Sequence, residues 1–369
     1  MCSCRPWHSY FASRGPGQVN TDFKMVGKKG IEMQFHWIFI LIAGAVILAF
    51  FFSLVAKQKS LSEEKLSITL SSNMEAVFSG AIESKGTAQP LPIPKDGMEF
   101  SCSESCVCDF RIGNKATSFR DKIIFAPSLI EGQDALAWSN EWKLPFRVTN
   151  FLYVTNPNVK YYVVYVPGTQ GERMFDRINK TLPPGLNIAV LKDPDVSGIP
   201  YEGFQETKFV FLDIPDSEVD LEALDSDFRK KQVSGVDIHQ NTITFYEKLP
   251  KELVFTSASS PFVGEPLIFA AMFSADKQMY DCGLKEAFFK LNHVAKIIYG
   301  RAKLIQKNMS ITKPECTYRL DDFEILIERS AMLSADVEFS QSISDVIGAA
   351  NAIERENKNA ILLSCPEIF

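Results

Sequence analysis

Hydrophobic residues near the N-terminus form one long uninterrupted run. No Asp, Glu, Lys or Arg occurs from Met33 to Ala56, and a helix of about 22 residues from Phe35 would be about 33 Å long, enough to cross the core of a bilayer. Behind this run, apolar residues recur at steps of three and four. The pattern predicts a disordered segment at 1–32, a transmembrane helix at 33–56 and a helical stalk at 57–85.

Short apolar runs then alternate with amphipathic segments. The runs are rich in β-branched and aromatic residues and are apolar on both faces, which is typical of strands covered on both sides. They lie at 122–126, 151–155, 161–166, 187–192, 208–214 and 267–273. Helices are predicted at 171–182 and 216–231, and an antiparallel hairpin at 236–247. This order predicts an α/β fold, with a three-layer, mainly parallel sheet domain at 122–275.

The remaining segments complete the expected organisation. Residues 86–121 contain Pro and Cys and are expected to form a linker between stalk and sheet. Residues 276–369 are expected to be a helical region packed on the sheet, because their apolar positions follow a helical period. Its helices are predicted at 277–307, about 319–334 and 338–356.

Composition and charge narrow the class of protein. The chain is 46% hydrophobic and 23% charged, the usage of an ordinary folded protein. Its 39 Lys and Arg against 45 Asp and Glu give a net charge of -6, so there is no basic excess to neutralise phosphates. We therefore expect no nucleic acid as a partner. The apolar run indicates a lipid bilayer as a partner, and other proteins are expected beside it.

Flanking charge predicts the orientation in the membrane. Five basic residues precede the apolar run and three follow it closely, which favours a cytoplasmic N-terminus and an extracytoplasmic head. They are Arg5, Arg14, Lys24, Lys28 and Lys29 before it, and Lys57, Lys59 and Lys65 after it. The sequons at Asn179 and Asn308 suit an exported domain. Met25 offers a second start, which would place Lys28 and Lys29 directly before the run and leave Cys2 and Cys4 out of the protein.

Lys28-Lys29-Gly30, followed by a hydrophobic helix, a stalk and a head, resembles the N-terminus of type IV pilins and archaeal class III signal proteins. The similarity covers about residues 28–83. The sequence KGIEMQFHWIFILIAGA also resembles that of uncharacterised archaeal single-pass membrane proteins. The resemblance implies processing before the helix and packing of the helix in a filament or envelope complex. Family members carry Glu at the fifth position after the cut, whereas Glu32 is the second residue after Gly30. A small-residue patch around Gly44 would suit helix–helix association.

Six cysteines follow the apolar run. An even number in an extracytoplasmic domain suits disulfides, and six allow fifteen pairings. We favour one disulfide within Cys102, Cys106 and Cys108, and one that links Cys282, Cys316 or Cys365. The C-x3-C-x-C spacing lacks the second Cys or His pair of most zinc sites, so neither a metal nor a cofactor is predicted.

Aspartates follow two of the predicted strands. Asp193 and Asp195 come after the run at 187–192, and Asp213 and Asp216 lie at and just beyond the end of the run at 208–214. Parallel sheets place ligands at the carboxyl ends of their strands, and carboxylates bind hard cations. Turns and helix caps use the same residues, and that role is favoured here. The glycine-containing loop at 167–171 matches neither common phosphate-binding pattern.

Two functional hypotheses remain. The first is a single-pass membrane-anchored surface protein whose head has a structural, assembly or partner-binding role. The second is a membrane-tethered hydrolase or transferase that uses the strand-end aspartates. No sequence motif identifies a nucleophile or another catalytic residue, so the first hypothesis is favoured and enzymatic activity stays open.

Overall fold

The computed structural model describes residues 29–84, 86–94, 97–119, 121–132, 134–310, 312–337 and 340–369. Within these ranges, the side chains at 29–36, 60, 63, 64, 216 and 340 are not described. Most of the predicted disordered segment therefore lies outside the described residues. The chain divides into two units, Met1–Ser62 and Glu63–Phe369.

Six helices occur in the described residues. They are α1 (Lys29–Glu83), α2 (Gln170–Thr181), α3 (Glu265–Phe273), α4 (Lys277–Met309), α5 (Asp321–Ala335) and α6 (Ser340–Leu362). In α1, the segment Trp37–Lys59 has a mean hydropathy of 3.0 and is long and apolar enough to cross a membrane. The predicted N-terminal apolar helix and the helices of the C-terminal region are confirmed.

The strands of the second unit form three sheets. In chain order they are β1 (Ala88–Pro92), β2 (Met98–Cys102), β3 (Cys108–Ile112), β4 (Lys115–Ser118), β5 (Ile123–Phe125), β6 (Leu129–Ile130), β7 (Asp134–Lys143), β8 (Arg147–Thr155), β9 (Val159–Val164), β10 (Asn187–Leu191), β11 (Glu206–Leu212), β12 (Gln232–His239), β13 (Thr242–Lys248) and β14 (Phe255–Pro261). The sheet orders are β10-β9-β11-β12-β13-β14, β1-β7-β8-β5 and β4-β3-β2-β6. The head is thus a mixed α/β body, as the alternating pattern predicted.

The six-stranded sheet positions the candidate site. Strands β10, β9, β11 and β12 are parallel, whereas β13 and β14 are added antiparallel. All seven residues of β11 are buried. Val210 and Leu212 share a core with α2, while Phe209 and Phe211 face a second core. This explains the continuous apolar run, since both faces of the strand are covered. The hairpin predicted at 236–247 corresponds to β12 and β13.

The last turns of α1 belong to the core of the head. Met74, Phe78 and Ala81 are buried beside residues of the two four-stranded sheets. The ring of Phe78 lies 5.3 Å from that of Phe110 in an edge-to-face contact and 6.2 Å from that of Phe100. The predicted stalk therefore ends as a packed element of the α/β body.

One apolar run predicted as a strand is a helix in the structure. Residues 267–273 form most of α3, which begins after Gly264 with a proline near its N-terminus. Every residue from Leu267 to Phe273 is buried. A helix buried on all sides has no polar stripe, so its sequence looks like that of a buried strand.

Three further segments differ from the expected architecture. The helix expected at 216–231 is reduced to two short 3-10 turns, Asp216–Glu218 and Ser226–Lys230. Residues 86–121 carry β1 to β4 in place of a plain linker. The run at 151–155 is the end of β8, which pairs antiparallel with β7 and parallel with β5, outside the large sheet.

Candidate functional site

Asp193 and Asp195 follow β10 and stabilise a local turn. Asp193 Oδ1 accepts a hydrogen bond from the Asp195 backbone N–H at 3.0 Å, and Asp195 Oδ1 accepts one from the Ser197 backbone N–H at 2.9 Å. The hydrogen bonds from Ser197 lower the pKa of Asp195. Both carboxylates therefore perform the turn-forming role that the sequence favoured.

Asp213 is placed beside His239, which follows from the parallel pairing of β11 and β12. The two residues come at the carboxyl ends of these neighbouring strands, and Asp213 Oδ1 lies 2.9 Å from His239 Nδ1. Asp213 has a φ of 57°, a left-handed conformation that Asp tolerates better than most residues. Its backbone N–H donates to the Ile238 carbonyl at 2.9 Å. The pair is half-exposed and becomes an ion pair when the imidazole is protonated.

The loop after β9 already occupies its own backbone donors. Thr169 caps α2, because its Oγ1 accepts from the Gly171 N–H at 3.1 Å. Glu172 Oε2 accepts from the Gly168 N–H at 2.8 Å. The carboxylate of Glu172 also adds negative charge where a phosphate would bind. This loop is accordingly a capped helix start, as its departure from the phosphate-binding motifs indicated.

Close packing fixes the position of that helix start. A Cβ at Gly171 would lie 2.1 Å from the Leu212 carbonyl oxygen, so only glycine permits α2 to approach the end of β11 this closely.

Strand order separates the sequence-predicted aspartates. Strand β9 lies between β10 and β11, so the strand ends that lead into Asp193 and Asp213 are about 10 Å apart. The side chain of Asp216 lies outside the described residues. Thus Asp213 is joined to His239, and Asp193 and Asp195 belong to a separate turn. Sequence reasoning did not select His239 as a partner, because only the pairing of β11 with β12 brings the two side chains together.

The six downstream cysteines lie at disulfide distance in three pairs. The pairs are Cys102–Cys108, Cys106–Cys282 and Cys316–Cys365. Cys102 and Cys108 are cross-strand partners in β2 and β3. Cys106 reaches α4 across 176 residues of sequence.

The first two pairs lie against each other. The Sγ atoms of Cys102, Cys108 and Cys282 all lie within 4.8 Å of one another. Cys106, Cys108 and Cys282 line a cavity of about 390 Å³ between the β2–β3 turn and α4. Its charged lining residues are Glu104, Lys122, Lys285 and Glu286. We name Cys102, Cys106, Cys108 and Cys282 the sulfur cluster.

A buried group of charges lies near the opposite end of β11. Lys208 and Glu206 are almost fully buried, and Lys208 Nζ donates to the Ser274 carbonyl. Burial lowers the pKa of Lys208 to about 8, against the attraction of Glu206, Asp276 and Glu247. Burial raises the pKa of Glu206. Sequence reasoning missed this group, although a lysine at the start of an apolar run was a signal for it.

Both sequon asparagines are exposed. Asn179 lies in the last turns of α2 and Asn308 in the last turn of α4.

No family model, curated protein or solved structure matches this chain.

Proposed function

We propose that this chain is a single-pass membrane-anchored surface protein with an extracytoplasmic α/β head that has a structural, assembly or partner-binding role. The pairing of all six cysteines that follow the apolar segment carries the proposal. Disulfides persist in oxidising compartments and are rare in the cytosol. The segment Trp37–Lys59 supplies the anchor, and the flanking basic residues favour a cytoplasmic N-terminus.

The geometry of the strand-end aspartates supports a non-catalytic head. Asp193 and Asp195 are engaged with backbone N–H groups of their own turn, and Asp213 lies beside His239 across a strand pair. A hydrolase built on these aspartates would need them to converge on one substrate. The helix that carries the anchor also has its last turns, including Phe78, buried in the head's core, which suits a protein whose head is held at the membrane.

Cysteine labelling in intact cells tests the proposal. Cells that express the full chain are treated with a membrane-impermeant maleimide before and after external reduction, and the labelled peptides are mapped. We expect Cys102 and the other five downstream cysteines to label only after reduction, without lysis. Cys2 and Cys4 precede the apolar segment and serve as the matched control, since they should label only after lysis.

The opposite pattern overturns the proposal. Downstream thiols that label without reduction and only after lysis, together with external labelling of Cys2 and Cys4, would place the head in the cytosol.

A further inference from the structure

We infer that the sulfur cluster is a thiol–disulfide exchange site that accepts two electrons from a small-molecule dithiol and shares them between its two disulfides. Proximity is the first support. Cys282 Sγ lies within 4.8 Å of the sulfurs of both Cys102 and Cys108. A thiolate released from one disulfide would therefore be held beside the other, which replaces a bimolecular encounter by an intramolecular one.

Access from solvent is the second support. Cys102, Cys106 and Cys108 are partly exposed, and the cavity of about 390 Å³ opens onto Cys106, Cys108 and Cys282. This volume is in the range of small-molecule sites and is too small for a folded protein. The third pair is different, because Cys316 is 2% exposed and Cys365 is 8% exposed.

Stabilisation of the released thiolate is the third support. Gln278 Nε2 lies 3.2 Å from Cys282 Sγ and 4.0 Å from Cys106 Sγ. An N–H donor at this position favours the ionised form of a thiol, and the thiolate is the reactive species. Two lysines and two glutamates also line the cavity, and Gln278 donates directly to Cys282 Sγ.

Backbone conformation at Cys106 is consistent with this role. Cys106 has a φ of 55° in the turn between β2 and β3, a left-handed conformation that is costly for a residue with a Cβ. The Cys106 N–H donates to the Ser103 carbonyl at 2.8 Å, which holds the turn in place.

The exchange proceeds in two balanced steps. A thiolate of the dithiol attacks Cys108 Sγ, the Cys102–Cys108 bond breaks and Cys102 leaves as a thiolate. The second thiol, once deprotonated, attacks the mixed disulfide, so the dithiol becomes a disulfide and loses two electrons and two protons, while the protein gains two thiols. A thiolate of Cys102 or Cys108 then attacks Cys282 Sγ, and Cys106 leaves as a thiolate without further oxidation or reduction.

Partial reduction of the full-length protein in detergent micelles tests the inference. The oxidised protein is treated with one equivalent of dithiothreitol, quenched with acid, alkylated, and mapped by mass spectrometry without further reduction. We expect a new bond from Cys282 to Cys102 or Cys108, and alkylation of Cys106. The Cys316–Cys365 pair should open more slowly by about tenfold or more, because attack requires access to a sulfur.

Recovery of the two original bonds only, or equal opening of the Cys316–Cys365 pair, would overturn the inference. Cys106→Ser provides a second measurement, because it leaves Cys282 as a free thiol beside the Cys102–Cys108 bond, and we expect a bond from Cys282 to one of them. Cys365→Ser is the matched control, since it frees Cys316 away from the cluster and should produce a labelled thiol without a new bond. If Cys106→Ser does not fold, the measurement on the unsubstituted protein decides.

Discussion

Substitution of Phe78 tests whether the end of the long N-terminal helix α1 is part of the head. Phe78 is 0% exposed and contacts Phe100 and Phe110. Phe78→Ala removes a ring from a closed core and leaves a cavity among these partners. The neighbouring Val77 is 36% exposed on the same helix, and Val77→Ala is the matched control.

The expected difference between the two substitutions is large. A fully buried Phe→Ala substitution costs about 3–5 kcal/mol in the free energy of unfolding, which includes the loss of its aromatic pairs. Val77→Ala loses two partly exposed methyl groups and gains helix propensity, so its cost should stay below about 1 kcal/mol. The ratio between the two costs therefore reports burial of this helix turn.

The assay is urea unfolding of the full chain in detergent micelles, followed by tryptophan fluorescence. Trp138 and Trp142 are buried in the head and report its unfolding. We expect a clearly lower transition midpoint for Phe78→Ala at an unchanged slope, and a small shift for Val77→Ala. Equal, small shifts for both variants would refute the packing of α1 into the head.

Two other predictions follow from the large sheet. Gly171→Ala should lower the free energy of unfolding by more than about 2 kcal/mol in the same assay, because its Cβ would lie 2.1 Å from the Leu212 carbonyl oxygen. Gly198→Ala is the control, since the space at its Cβ is open, and it should shift the midpoint little. Similar shifts for both variants would contradict the close approach of α2 to β11. Lys208 has a pKa of about 8 in the folded protein and 10.5 as its ordinary value, so between pH 8 and 9.5 the unfolded chain binds more protons at this residue and the stability should rise with pH by up to about 2 kcal/mol. Lys208→Met should remove that rise, and an identical pH dependence in both proteins would show that this lysine does not cause it.

Local patterns predicted several elements because the responsible forces act over a few neighbouring residues. The apolar segment in α1, the runs that became β9, β10 and β11, the β12–β13 hairpin and the helical period of α4 can each be read from adjacent residues. A period of 3.6 or an uninterrupted apolar run follows directly from which faces of an element are covered.

Burial on all sides removed the information that distinguishes helix from strand at 267–273. The run was predicted as a strand because it is apolar throughout. In the structure it forms most of α3, and because every residue from Leu267 to Phe273 is buried, the helix has no polar face that its sequence could reveal. The segment at 216–231 is a case in which a helical pattern did not produce an α-helix. It forms only two short 3-10 turns, which pack on the second core of the sheet.

The candidate sites depended on contacts between residues that are distant in sequence. Strand-end aspartates could be named from the sequence, but only the order β10-β9-β11-β12 separates Asp193 from Asp213 and places Asp213 beside His239. Likewise, the sequence alone determined the long apolar segment and an even set of six downstream cysteines. The tertiary structure decided that Cys282 meets Cys106 beside the Cys102–Cys108 pair, because the packing of α4 against the β2–β3 turn is a long-range contact that no local periodicity encodes.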